Sequence, residues 1–286
     1  MAAFTTDIAP GGRQATITLD VGHPGLDHHR PGGRPLLGTV LGLGALASVA
    51  RGLTTGRRIA AVTSIGVHEP WIHSEGRSLR LDARVERRDQ AQDLVHASLF
   101  CGAETDAQAL HLRADFRLVT GEPATLMPLS QPLAPPMPGI SAGEIYRVFF
   151  HGPAFQVVAQ AGRRSEAMVS RLAVNVHTAA IPPMARLLEF ALQTAGLLEL
   201  SASGRMMIPH AIAAVEHAAP ADEGADPEIV GRALFDADGA SISIEVATAR
   251  GLRLMTVRGY RTVALPFASD TTAAATLGQR LAASAV

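Results

Sequence analysis

Six stretches of the chain alternate apolar and polar residues: RQATITL, SLRLDARVE, LHLRADFRLV, AMVSRLAV, ASISIEVAT and LRLMTVRGYRTVAL. A period of two predicts strands. In SLRLDARVE, Leu79, Leu81, Ala83 and Val85 share one face while Arg80, Asp82, Arg84 and Glu86 take the other. That division predicts antiparallel sheet covered on one side only. Two segments keep a different period. TVLGLGALASVARGL is small and apolar almost all round, and PPMARLLEFALQTAGLLEL sets Met184, Leu187, Leu188, Ala191, Leu192, Ala195 and Leu198 at helical spacing. Pro182 and Pro183 suit the first turn of that second helix. Both segments predict buried helices, the first nearly completely.

Between these patterns lies PATLMPLSQPLAPPMPGI, residues 123–140, whose six prolines exclude a regular element and predict an extended linker. It falls near the midpoint. The chain then divides into residues 1–122, a linker of 123–140, and residues 141–286. Each half reads as a glycine-rich approach, one apolar helix and a succession of strands, with no clear sequence repeat. A helix wrapped by an antiparallel sheet, occurring twice, describes an α+β double hot-dog, and other α+β arrangements remain open on the pattern alone.

Composition narrows the class. The chain has 286 residues, 47% hydrophobic and 18% charged, with a formal net charge of -1. These values fit a globular protein with a substantial core and make nucleic acid a poor partner. The 25 basic side chains are all arginine, since lysine does not occur. A single cysteine, Cys101, excludes an intramolecular disulfide and a cysteine-rich zinc site; HASLFCG reads as a strand with that cysteine half-buried. The N-terminus lacks the basic start and apolar core of a signal peptide, and no apolar run approaches the roughly 20 residues of a membrane span. A cytoplasmic, free-standing protein is expected.

GxGxxG after a strand, the P-loop, the GxSxG elbow and HExxH are all absent. In HEPWIH, His68 and His73 stand five residues apart on a predicted strand and so face opposite ways, which disfavours a metal site. Three places remain. His28 and His29 precede RPGGRPLLGT, where Gly33 marks a sharp turn before the first helix. On the residues alone they read first as turn histidines, but a neutral imidazole there can act as a base near pH 7, beside unpaired N–H groups at the helix start. Glu189 and Gln193 are neighbours on one helical surface at the edge of the apolar stripe. An ordinary solvated glutamate and a protonated one, its pKa raised by burial, both remain open. The third place is EIYRVFFHGPAFQVV, with Tyr146, His151, Gly152 and Phe155; alone it reads as core plus corner.

Together these stretches resemble the dehydratase domain of polyketide synthases, most closely the enediyne and polyunsaturated-fatty-acid type. That family is a double hot-dog with a histidine in HxxxGxxxxP and an acid in D/ExxxQ/H. His29, Gly33 and PLLGTVLGLGALA fall on the first motif, and RLLEFALQTAGLLEL puts Glu189 and Gln193 on the second. IYRVFFHGPAFQ resembles the (Y/H)GPxF segment, with His151 where tyrosine is common, and VRGYRTVALP resembles the closing strand. The resemblance spans residues 13–267. In place of the motif proline stands Gly38, followed by Thr39 where glycine is usual.

The resemblance implies removal of water from a 3-hydroxyacyl thioester in polyketide or fatty-acid-like biosynthesis, including antibiotic biosynthesis. His29 is then the base for the C2 proton and Glu189 the acid for the C3 hydroxyl. Gln193, His151 and Tyr146 orient the acid or the leaving group, and backbone N–H groups near Gly38 and Gly152 polarise the thioester carbonyl. Neither metal nor organic cofactor is implied; the substrate rides on the phosphopantetheine of an acyl carrier protein, and a ketosynthase is a further partner. The chain is expected as a monomer or homodimer. A cyclase or isomerase acting on the same carrier-bound chain, and a non-catalytic double hot-dog binding a synthase, are the alternatives.

Overall fold

The computed structural model describes residues 4–8, 14–19, 24–54, 56–70, 78–87, 90–102, 109–121, 127–134, 139–173, 181–217, 228–265 and 271–284. The first half runs β1 (Phe4–Ile8), β2 (Gln14–Leu19), α1 (Pro24–Asp27), α2 (Thr39–Leu53), β3 (Arg58–Val67), β4 (Ser78–Arg87), β5 (Gln92–Gly102) and β6 (Ala109–Val119). The second runs β7 (Ile140–Ser141), α3 (Ala142–Ile145), β8 (Val158–Arg164), β9 (Ala167–Leu172), α4 (Pro183–Ser203), β10 (Met207–His217), β11 (Ile229–Phe235), β12 (Ile242–Thr248), β13 (Arg253–Ala264) and α5 (Thr271–Ala283).

Among the described residues the strands form one sheet in the order β1-β2-β4-β5-β6-β3-β10-β13-β12-β11-β9-β8-β7. Both halves obey the same rule. The strand that leaves the long helix, β3 or β10, runs to the middle of the sheet, and the next three strands fold back beside it. β3 and β10 then pair antiparallel, joining the halves into one surface. Within each half the sheet curls around its own helix, α2 against β3 to β6 and α4 against β8 to β13. This is the expected double hot-dog.

The two long helices match their predicted segments because their apolar faces are wide enough to be wrapped. Ala45, Leu46, Val49 and Ala50 of α2 are at most 1% exposed, and Phe190, Ala191, Ala195, Leu197 and Leu198 of α4 are fully buried. Burial of each such leucine or phenylalanine contributes roughly 1.5–3 kcal/mol, which offsets the weak helix propensity of the glycines in α2. Pro183 begins α4, as the sequence predicts.

Three features differ from the sequence reading, and the proline-rich segment adds a detail to it. Val85 is 38% exposed although Leu81 and Ala83 on the same face are buried, so β4 runs beyond the cover of α2. Cys101 is buried rather than half-buried. The described part of the proline-rich segment, 127–134, lies along the sheet. Leu133 packs with Val169, Val230 and Ala247 on the face away from α4, and Leu129 N–H donates to the Gly251 carbonyl at 2.9 Å. Helix α5, which no pattern predicted, packs on α4 with Ala274, Leu277 and Leu281 buried.

Candidate active site

The loop between α1 and α2 carries His29. Gly32 and Gly33 take φ of 61° and 78°, a left-handed conformation that glycine adopts without a Cβ penalty, and they turn the chain back so that Leu36 N–H donates to the His29 carbonyl at 2.9 Å. Nδ1 of His29 lies 3.2 Å from the Leu36 carbonyl oxygen. A carbonyl only accepts, so Nδ1 carries the hydrogen and Nε2 keeps its lone pair. That Nε2 faces the start of α2, 3.2 Å from where a Cβ on Gly38 would stand. Burial pushes the His29 pKa down to about 4, reinforced by the neighbouring His151 and only partly opposed by Glu189 and the Leu36 carbonyl. At neutral pH the ring is an uncharged base.

Gly38 sits where the motif has proline, and its φ of -67° is the angle that a proline ring would impose. The backbone path into α2 is therefore kept, and only its covalent restraint is lost. No side chain caps the helix, so its first N–H groups are unmet by a cap, and Gly38, Thr39 and Val40 line the same pocket as His29.

Glu189 and Gln193 project from the middle of α4, 7% and 3% exposed. Gln193 Nε2 donates to Glu189 Oε1 at 2.8 Å and to the Phe155 carbonyl at 2.7 Å. Its own Oε1 accepts from the Tyr146 hydroxyl at 2.7 Å, and that hydroxyl accepts in turn from Val158 N–H at 2.8 Å. Tyr146 thus acts behind Gln193 and does not line the pocket. His151 Nε2 lies 3.3 Å from Glu189 Oε1, and the His151 ring stacks on Phe150 at 4.4 Å.

The sequence leaves the charge of Glu189 open. Desolvation raises its pKa, but the hydrogen bond from His151, the nearness of the His151 and His29 rings and the Gln193 N–H together outweigh it. The net shift is downward, so the resting carboxyl is ionised at neutral pH rather than held protonated.

Gly152 corrects one expectation. Its N–H donates to the His28 carbonyl at 2.7 Å, and Ala154 N–H donates to His28 Nδ1 at 3.1 Å. The Gly152 amide is thus engaged, whereas no side chain caps the first N–H groups of α2. His28 is a latch between the halves, and next to it His29 and His151 form an isolated antiparallel bridge. A Cβ at Gly152 would stand 2.8 Å from His28 Cβ, so glycine is needed for this approach.

The side chains meet in one pocket of about 80 Å³. His29, Gly38, Thr39, His151, Glu189 and Gln193 form its polar part, and Leu36, Val40, Leu192 and Ile208 are among its apolar walls. His111 and Tyr260 also line it; His111 stood in no motif, and Tyr260 stood in the VRGYRTVALP stretch without being read as a site residue. Among the described residues no group of three or more histidine, cysteine, aspartate or glutamate side chains could hold a metal ion. His68 follows β3, and His73 lies outside the described residues.

No protein-family model and no curated protein matches the chain. Solved structures do. The dehydratase domain from the CurK module of the curacin polyketide synthase has a TM-score of 0.70 at 16% identity, covering 92% of this chain and 98% of that one. The domain from the CurF module gives 0.70 at 17%, covering 92% and 98%. A trans-AT polyketide synthase dehydratase domain from Brevibacillus brevis gives 0.67 at 13%, covering 88% and 93%. The protein has the double hot-dog fold of polyketide synthase dehydratase domains.

Proposed function

We propose that the protein removes water from a 3-hydroxyacyl thioester presented on an acyl carrier protein. The observation that carries this reading is the convergence, in one pocket, of a neutral histidine from the first half and a histidine–carboxylate pair from the second. The uncapped start of α2 lies between them.

In this reading His29 Nε2 takes the C2 proton, and the electron pair left behind forms the C2=C3 bond. The C3–O bond breaks as the hydroxyl takes a proton from the form of the Glu189–His151 pair that carries one shared proton, and leaves as water; carboxylate and neutral imidazole remain. His29 then holds one proton more and the pair one less, and exchange through the released water resets both. N–H groups at Gly38, Thr39 or Val40 polarise the thioester carbonyl as charge develops on it. Gln193, held by Tyr146 and the Phe155 carbonyl, fixes the carboxylate. General acid–base assistance of this kind is worth about 10²–10⁴-fold. Nothing in the scheme requires a metal or organic cofactor.

The test is an intact-mass assay on a 3-hydroxyacyl carrier protein. Wild type is expected to remove one water, and His29→Ala and Glu189→Ala each to slow that loss at least about 100-fold with unchanged circular dichroism. An unchanged mass with a new ring or a shifted alkene replaces dehydration by cyclisation or isomerisation. Near-wild-type turnover in either variant removes that residue from its role.

A further inference from the structure

His111, on β6, is 2% exposed and takes no part in the chemistry above. Its Nδ1 meets the Glu69 backbone carbonyl, so Nδ1 carries the hydrogen. Burial pushes the pKa of this ring down, against a smaller opposing effect of the Glu69 carbonyl, so at neutral pH Nε2 is a bare acceptor. Among the described residues that Nε2 has no hydrogen-bond partner, although the ring forms part of the wall of the pocket that holds His29 and Glu189. Unpaired buried acceptors are uncommon because they forgo water without replacement.

Its position relative to His29 gives the acceptor a direction. His29 Nε2 stands over Gly38, and His111 Nε2 stands over Gly42, 3.9 Å from where a Cβ would be. Gly38 and Gly42 share one face of α2, about 6 Å apart. The two rings therefore lie one helical turn apart along the same wall. With extended chain advancing about 1.2 Å per bond, a ligand whose C2 meets His29 brings a group roughly five bonds away to His111. On the thiol side that group is the first amide N–H of pantetheine, counted through C1, sulfur, two carbons and nitrogen. On the other side it is a substituent well along the acyl chain.

From this we infer that His111 Nε2 accepts a hydrogen bond from an N–H or O–H of the bound thioester, about one helical turn from the reacting carbon, and so selects ligands that carry a donor there. The inference rests on the reading of the pocket as a 3-hydroxyacyl thioester site. It makes His111 a specificity residue rather than a catalytic one.

Calorimetric titration with unreactive thioether analogues tests it without requiring turnover. The first analogue has the pantetheine amides and a plain acyl chain, the second an ethyl group in place of pantetheine and a hydroxyl along the chain, and the third neither donor. His111→Phe is expected to weaken binding of the analogue carrying the bonded donor by about tenfold and to leave the third unchanged. His111→Gln, whose amide oxygen accepts, recovers part of the loss. A loss confined to the first analogue identifies the pantetheine amide, and one confined to the second identifies a chain hydroxyl. Equal loss on all three, or no loss on any, overturns the inference. Failure of wild type to bind any analogue instead overturns the thioester reading itself. Should His111→Phe not fold, the ¹⁵N shift of His111 Nε2 in wild type decides: it moves with a donor-bearing analogue, and no movement overturns the inference.

Discussion

His29 and Glu189 respond to acid in the same direction, and the windows follow from their partners. The unfolded chain protonates histidine near the ordinary value of 6.5, whereas the folded ring holds off until about 4. Between those values the unfolded state binds more protons, so stability is full above pH 6.5 and falls as pH drops toward 4. The loss is on the order of 3 kcal/mol, because each pH unit between the folded and unfolded values is worth about 1.4 kcal/mol. Glu189, depressed from 4.5, removes further stability below that value. Urea denaturation at pH 7 and pH 5 is expected to show the decline in wild type and a flatter response in His29→Phe. The acid limb of kcat/KM should lie below pH 6, and a limb centred at 6.5 would contradict the burial argument. At this scale the sequence was informative where chemistry imposes spacing: His29 and Glu189 stood in motifs, and Gln193 one turn beyond the acid. It was uninformative about hydrogen-bond direction. Nothing in the letters says that the Gly152 amide is taken by the His28 carbonyl, or that His151 helps ionise the carboxylate it was expected only to orient.

Elements were legible in proportion to the regularity of their environment. β4 and β6 keep one face on a helix and the other mostly outward, so their alternation survives in the sequence; β9 and β12 alternate too, although Val169 and Ala247 on their second face are covered by Leu133. The central strands do not. β3 shifts register between Thr63 and Gly66, with Ser64 at φ 53°, and β10 shifts between Pro209 and Ala211. Each irregularity moves later side chains out of phase, which erases a period of two. α5 was invisible for another reason: it is rich in alanine and threonine, and covers α4 by close approach rather than by a bulky stripe. Gly278 lies directly against the Leu200 carbonyl, where a Cβ would collide with backbone. Gly278→Ala is therefore expected to lift α5 and cost about 1–3 kcal/mol, read by urea denaturation. Leu200 lies eleven residues beyond Glu189, some 16 Å along α4. Turnover at saturating substrate should stay near wild type, and a large loss of kcat would mean that α5 supports the site as well as the fold.

Across the whole molecule the division of labour is sharp. The first half contributes His29, the start of α2 and the His28 latch; the second contributes Glu189, Gln193 and the His151 turn. Among the described residues, the contacts that hold them in register include the β3–β10 pairing, the packing of α2 on α4, the His29–His151 bridge, and the His28 bonds to Gly152 and Ala154. None of these runs through the proline-rich segment, although Leu133 anchors part of that segment to the second half. Covalent continuity between the halves should then matter less than their interface. Residues 1–127 and 128–286, produced as two chains in one cell, are expected to copurify and to recover dehydration of the carrier substrate, while either chain alone gives none. Gly152→Ala, which forces a Cβ against His28, should weaken recovery in the split protein more than turnover in the intact one, because only the split protein relies on the interface for assembly. Copurification without activity would place the decisive restraint in the linker, and activity from one chain alone would remove the site from the junction between the halves.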